Sequence, residues 1–141
     1  MNESASHEGG CLCGAIRYRA TAAPTALVLC HCRSCRRASG APALAWAIFK
    51  ATDFAFVSGK PATFESSPGV HRGFCARCGT TLTYASVNSP EVADVTTATL
   101  DHPDAFAPTK EIWLDEKIAW SAVDHARLRY PRSSRSSQPL P

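Results

Sequence analysis

Long hydrophobic runs are missing from this sequence: no stretch of its 141 residues approaches the roughly 18 apolar residues that a membrane-spanning helix requires. No membrane partner is therefore expected, and the 45% hydrophobic and 19% charged fractions are those of an ordinary globular chain. Met1 to Gly10 lacks both the basic region and the apolar region of a secretory leader and carries Glu3 and Glu8 instead, so a cytoplasmic location is expected. Acids are absent from Ala126 to Pro141, where Arg127, Arg129, Arg132 and Arg135 gather. That basic stretch motivates a zinc-ribbon interaction module for nucleic acid or protein. Apart from Tyr130, however, it lacks the interleaved aromatic rings on which bases stack, and no nucleic-acid partner is expected.

What the chain does have is seven cysteines. An odd number cannot pair completely within one chain, and a reducing compartment disfavours disulfides, so metal ligation is the better account. The formal charge of +3 treats every thiol as neutral; seven thiolates on two divalent ions would cancel it, leaving the body before Ala126 at about −4. Such a surface repels polyanions.

The chain reads as one mainly β domain of short, mostly antiparallel strands. Gly14 to Ala20 alternates apolar and polar residues, and Ala26 to Cys30 is a short buried run behind Pro24. Ser34 to Ser39 reads as a helical turn. Ala43 to Phe49, Phe54 to Val57, Pro61 to Glu65, Thr81 to Ala85 and Val92 to Leu100 read as strands, with a last strand-like stretch around Lys117 to Trp120. Ser66-Ser67-Pro68-Gly69 is a turn. The expected domain runs from 9 to 130, with a flexible N-terminus at 1–8 and a disordered tail at 131–141, whose few large apolar groups offset little ordering entropy.

The cysteines form three clusters: Cys11-Leu12-Cys13, Cys30-His31-Cys32-Arg33-Ser34-Cys35 and Cys75-Ala76-Arg77-Cys78-Gly79. A two-residue spacer followed by glycine lets Cys75 and Cys78 turn toward one ion, and Cys11 with Cys13 is the pair available to complete a four-sulfur tetrahedron. This would be a structural staple. Cys30, Cys32 and Cys35 supply three sulfurs, the arrangement of a catalytic zinc with one exchangeable position. His31 is a candidate fourth ligand, but an extended backbone directs its side chain away from those of Cys30 and Cys32.

At these motifs the sequence resembles the glutathione-dependent formaldehyde-activating enzymes, a family that shares its domain with the centromere-protein-V group. The match is carried by GGCLCGAIRY (Gly9 to Tyr18), CHCRSCRRASGAP (Cys30 to Pro42) and SSPGVHRGFCARCGT (Ser66 to Thr80). Weaker support comes from TLDHPDAFAPTKEIWL (Thr99 to Leu114) and the segment near Trp120. The resemblance implies a zinc-stapled β-tent, a structural zinc on Cys11, Cys13, Cys75 and Cys78, and a catalytic zinc on Cys30, Cys32 and Cys35. It also implies carbon–sulfur lyase chemistry, in which glutathione adds to formaldehyde to give S-hydroxymethylglutathione. Glu111 departs from the pattern, standing where many relatives are expected to carry histidine.

Arg33, Arg36 and Arg37 flank the three-cysteine cluster and are candidates for the carboxylates of a peptide thiol such as glutathione; their plainer role is to offset thiolate charge. His31 is a candidate proton shuttle or a hydrogen-bonded bystander. Trp46, Phe49, Phe54, Phe56 and Phe74 read as core, and Ser39 with Gly40 as the turn after the cluster. The expected partners are a small thiol and an aldehyde. The alternative to catalysis is a carrier that binds a thiol without accelerating its reaction.

Overall fold

The structure, a computed structural model, describes residues 5–141. In chain order the elements are β1 (His7–Gly10), β2 (Arg17–Ala20), β3 (Ala26–Cys30), α1 (Arg33–Ser39), β4 (Leu44–Lys50), β5 (Phe54–Ser58), β6 (Ala62–Ser67), β7 (Val70–Phe74), β8 (Thr81–Ser86), β9 (Val92–Thr96), β10 (Lys110–Ile112) and β11 (Leu128–Arg129). Short 3-10 turns lie at Ala51–Asp53, Thr97–Thr99, Pro103–Phe106 and Leu114–Glu116. The mainly β single domain expected from the sequence is what forms. It divides into two compact units, one comprising the chain through Ala26 with Ala47–Phe106, the other Leu27–Trp46 with Ala107–Pro141.

In the first unit β1, β2 and β5 form an antiparallel three-stranded sheet, and β6 to β9 pair in antiparallel sequence order. Alternation in β2 buries Tyr18 and Ala20 while Arg19 faces solvent. Tyr18 packs on Phe54 at 5.3 Å, and Phe54 meets Phe49 at 6.4 Å and Phe56 at 5.4 Å, giving the aromatic core that the sequence indicates. The Tyr18 hydroxyl donates to Thr99 Oγ1 at 2.8 Å, and that hydroxyl in turn donates to the Thr96 carbonyl at 2.7 Å. Gly9 is required beside it: a Cβ there would run into the Tyr18 hydroxyl and the Thr99 carbonyl.

In the second unit β10 pairs in parallel with both β3 and β11. These parallel ladders are additions to the antiparallel pattern expected from short connections. Two boundaries also differ. The Val92 to Leu100 run stops being strand at Thr96, because the Thr99 hydroxyl bonds the Thr96 carbonyl and turns the chain into Thr97–Thr99. Lys117 to Trp120 is not a strand: its polar groups bond locally, Lys117 Nζ to the Ile118 carbonyl at 2.7 Å and Ser121 N to the same carbonyl at 3.0 Å.

The expectation of a flexible N-terminus falls partly on residues 1–4, outside the described residues; strand β1 begins at His7. Residues 131–141 hold turns and backbone hydrogen bonds, among them Leu140 N to the Arg129 carbonyl at 2.6 Å. No helix among the described residues is long and apolar enough to cross a membrane.

Candidate metal and thiol site

Two groups of sulfurs converge. In the first unit those of Cys11, Cys13, Cys75 and Cys78 all lie within 4.8 Å of one another, and in the second unit so do those of Cys30, Cys32 and Cys35. None of the seven is in a disulfide.

The four-sulfur cluster is assembled from two tight turns. Cys11 and Cys13 sit at a turn ending on Gly14, which has φ of 80°, and Cys75 and Cys78 at a turn ending on Gly79, also at 80°. Glycine enters this left-handed region without the penalty a side chain carries. Sγ of Cys11 is 3.6 Å from that of Cys13, and Cys13 Sγ is 3.8 Å from that of Cys75. A tetrahedron with Zn–S of about 2.3 Å has edges of about 3.8 Å, so the separations suit such an ion.

Hydrogen bonds aim at these sulfurs: Ile16 N donates to Cys11 Sγ at 3.3 Å and Cys78 N to Cys75 Sγ at 3.5 Å. The Thr80 hydroxyl contacts Cys78 Sγ at 3.1 Å and leads the set of bonds that pull the Cys78 thiol down to about 5. The same hydroxyl accepts the Leu12 amide at 3.0 Å, tying the two turns together. The sequence reading missed Thr80, which follows the second turn as an ordinary strand-entry threonine.

The three-sulfur cluster is local. β3 ends at Cys30, and Cys32 is the N-cap of α1, with φ −63° and ψ 151°, its sulfur accepting the Cys35 amide at 3.2 Å. Cys35 lies one helical turn in and is buried. Gly40 closes the helix in the left-handed conformation, and the Ser39 hydroxyl donates to the Cys35 carbonyl at 2.8 Å, so both shape the turn as expected. The sulfurs of Cys32 and Cys35, then burial, push the Cys30 thiol upward. Three negative charges this close are not stable without a cation, and the donor set fits a soft divalent ion.

His31 does not join the sulfurs. In parallel register Glu111 faces Leu29 and Ile112 faces Cys30, so alternation puts Leu29, His31 and Glu111 on one face and Cys30 on the other. His31 and Glu111 are both fully buried, and His31 Nε2 lies 2.7 Å from Glu111 Oε1. Glu111 Oε2 accepts the Asp124 amide at 2.8 Å and lies 3.5 Å from Arg127. This role for Glu111 was not legible, since an acid in a three-residue strand looks like a solvated residue.

Of the three arginines on α1, Arg33 and Arg37 are exposed, whereas Arg36 is half-buried and its Nε is buried without a hydrogen-bond partner. In the basic C-terminal stretch Arg127 pairs with Glu111 and Asp124, and Arg132 with Asp115, which ties part of that charge to acids of the same unit.

Residues 6–116 match the family model of the glutathione-dependent formaldehyde-activating enzymes. The chain belongs to this family. A lyase of Schizosaccharomyces pombe, itself uncharacterized, is 38% identical over 84 residues, covering 58% of this chain and 59% of its own length. A Halomonas elongata protein provisionally named as a glutathione-dependent formaldehyde-activating enzyme is 28% identical over 127 residues, covering 83% of this chain and 80% of that protein. A crystal structure of a Rhodobacter sphaeroides protein superposes with a TM-score of 0.56 at 25% identity, over 67% of this chain and 87% of that one.

Proposed function

We propose that this family member is a zinc-dependent carbon–sulfur lyase that adds a small thiol, such as glutathione, to an aldehyde such as formaldehyde, or releases it again. The observation that carries the reading is the convergence of Cys30, Cys32 and Cys35, three sulfurs with no fourth ligand among the described residues. The printed names of the family and of the Halomonas elongata relative, and the lyase name of the Schizosaccharomyces pombe relative, support the same chemistry.

In this reading Cys11, Cys13, Cys75 and Cys78 hold a structural zinc, and Cys30, Cys32 and Cys35 hold the catalytic one. Bound at the three sulfurs, zinc supplies an exchangeable position at which an incoming thiol, with an ordinary pKa of about 8.5, gives up its proton near neutral pH. The chain's own part is placement. β3 and the α1 N-cap fix the three sulfurs, and Arg36, half-buried beside them, supplies positive charge for a carboxylate of the thiol peptide, with Arg33 and Arg37 adding exposed positive charge. Holding the thiol beside the aldehyde replaces a bimolecular encounter with a local one. The reaction forms one C–S bond, reduces the carbonyl bond order by one and moves the thiol proton to the aldehyde oxygen.

The test is the rate of S-hydroxymethylglutathione formation from glutathione and formaldehyde, followed by exchange NMR against the spontaneous reaction. Catalysis well above background, lost in Cys32→Ser, is expected. Binding of glutathione with no rate above background would make the protein a thiol carrier instead.

A further inference from the structure

Behind the three sulfurs, on the opposite face of β3, lies a buried polar group that the proposed chemistry does not use. Glu111 is fully buried and bonds in two directions. One carboxylate oxygen meets His31, the residue between Cys30 and Cys32, at 2.7 Å; the other accepts the Asp124 backbone amide at 2.8 Å and faces Arg127 at 3.5 Å. The backbone repeats the connection: His31 N donates to the Ile112 carbonyl at 3.0 Å, and Tyr130 N to the Glu111 carbonyl at 2.9 Å. Residues 124–130 lie beyond the 6–116 stretch that the family model covers.

We infer that Glu111 is a positioning residue for the open site, locking the His31 side chain onto one face of β3 so that Cys30 and Cys32 present their sulfurs on the other, with the 124–127 segment as its backing. The inference deepens the proposed function and rests on it for the identity of the site. Its physical basis is the cost of the alternatives. A buried carboxylate without partners is strongly disfavoured, so Glu111 holds its three partners to fixed places. A rotation of the Cys30–Cys32 backbone would swing His31 off the carboxylate and leave two buried polar groups unpaired. The same bonds therefore resist the rotation that would scatter the sulfurs.

The zinc-loaded full chain and its Glu111→Ala and Glu111→Gln variants test this with two readouts besides turnover. The first is zinc retention against a chelator, which resolves the two sites. Loss of a group that orients metal ligands costs about 10–100-fold in metal affinity, and Glu111→Ala is expected to weaken the three-cysteine site by that factor while leaving the four-cysteine site unchanged. The second is amide hydrogen exchange: protection is expected to fall in residues 30–35 and 124–127 and to persist in residues 75–80. Glutamine, which can bond His31 and the Asp124 amide only with the buried Nδ1–H tautomer of His31, is expected to shift both readouts the same way by less. If Glu111→Ala does not fold, Glu111→Gln decides. Unchanged zinc retention and exchange in the folded variants would overturn the inference, as would protection lost equally in 75–80, the mark of general destabilisation. A wild-type chain that fails to add thiol to aldehyde would sink the functional reading, while the zinc and exchange differences would still decide the role of Glu111.

Discussion

The closed sulfur cluster joins two turns at least 62 positions apart in the chain, the separation of Cys13 and Cys75, whereas the open one draws on six consecutive residues. A metal fixed across so long a span closes a large loop, so an ion held at the four-cysteine site would stabilise the fold. A cluster confined to residues 30–35 closes almost no loop and contributes little in that way. The hydrogen bonds follow the same division. In the four-cysteine cluster Ile16, Cys78 and Thr80 all direct polar groups at sulfur; in the three-cysteine cluster the Cys35 amide does so at Cys32, and further support lies behind the strand, at His31 and Glu111.

The comparison breaks most visibly at Cys75. Cys75→Ser is expected to cost more than about 4 kcal/mol, the range reserved for losing a metal site or an equivalent staple, and to abolish a cooperative melting transition. A chemical denaturation curve checks it; a stability within about 1 kcal/mol of wild type would contradict the staple. A smaller effect belongs to the open site. Arg36→Ala should raise the KM for glutathione about 10-fold with kcat nearly kept, because a lost carboxylate contact of about 1.5 kcal/mol acts on bound substrate and transition state alike. Steady-state kinetics decide between that split and a fall in kcat.

Both cysteine groupings were legible because spacing within each short motif constrains where sulfurs can go. Cys75-Ala76-Arg77-Cys78-Gly79 announces its own turn, and the helical turn read over Ser34 to Ser39 forms as Arg33–Ser39. Strand β3 was legible to the residue, being a short apolar run bounded by Pro24 and the cysteines. Side-chain partners 80 residues apart were not. Glu111 stood out only as a departure from the family pattern, since nothing local says that it meets His31, and nothing in Lys117 to Trp120 says that its backbone bonds will be local, so the acid's partner was missed and the strand misplaced.

Within the first unit, away from either cluster, the expected effects shrink. Tyr18→Phe removes the hydroxyl that bonds Thr99 and should cost about 1 kcal/mol in thermal or chemical unfolding. Asp101, whose bidentate partner is Arg17, has its carboxyl held below the usual range chiefly by that hydrogen bond. A lowered folded pKa means that its contribution is fully present above the ordinary carboxylate pKa of about 3.9 and is lost as pH falls through the lowered value. Both side chains are over a third exposed, so Asp101→Asn should cost less than about 1 kcal/mol at pH 7, with the gap to wild type closing in strong acid.

The most direct test of two sites with two jobs is zinc content per folded chain, measured on wild type, Cys32→Ser and Cys75→Ser, with a glutathione titration of each. Two zincs in wild type, falling to one in a folded Cys32→Ser protein that no longer binds glutathione, and loss of the fold in Cys75→Ser, is the predicted result. One zinc in both wild type and Cys32→Ser, with glutathione binding unchanged, would contradict it.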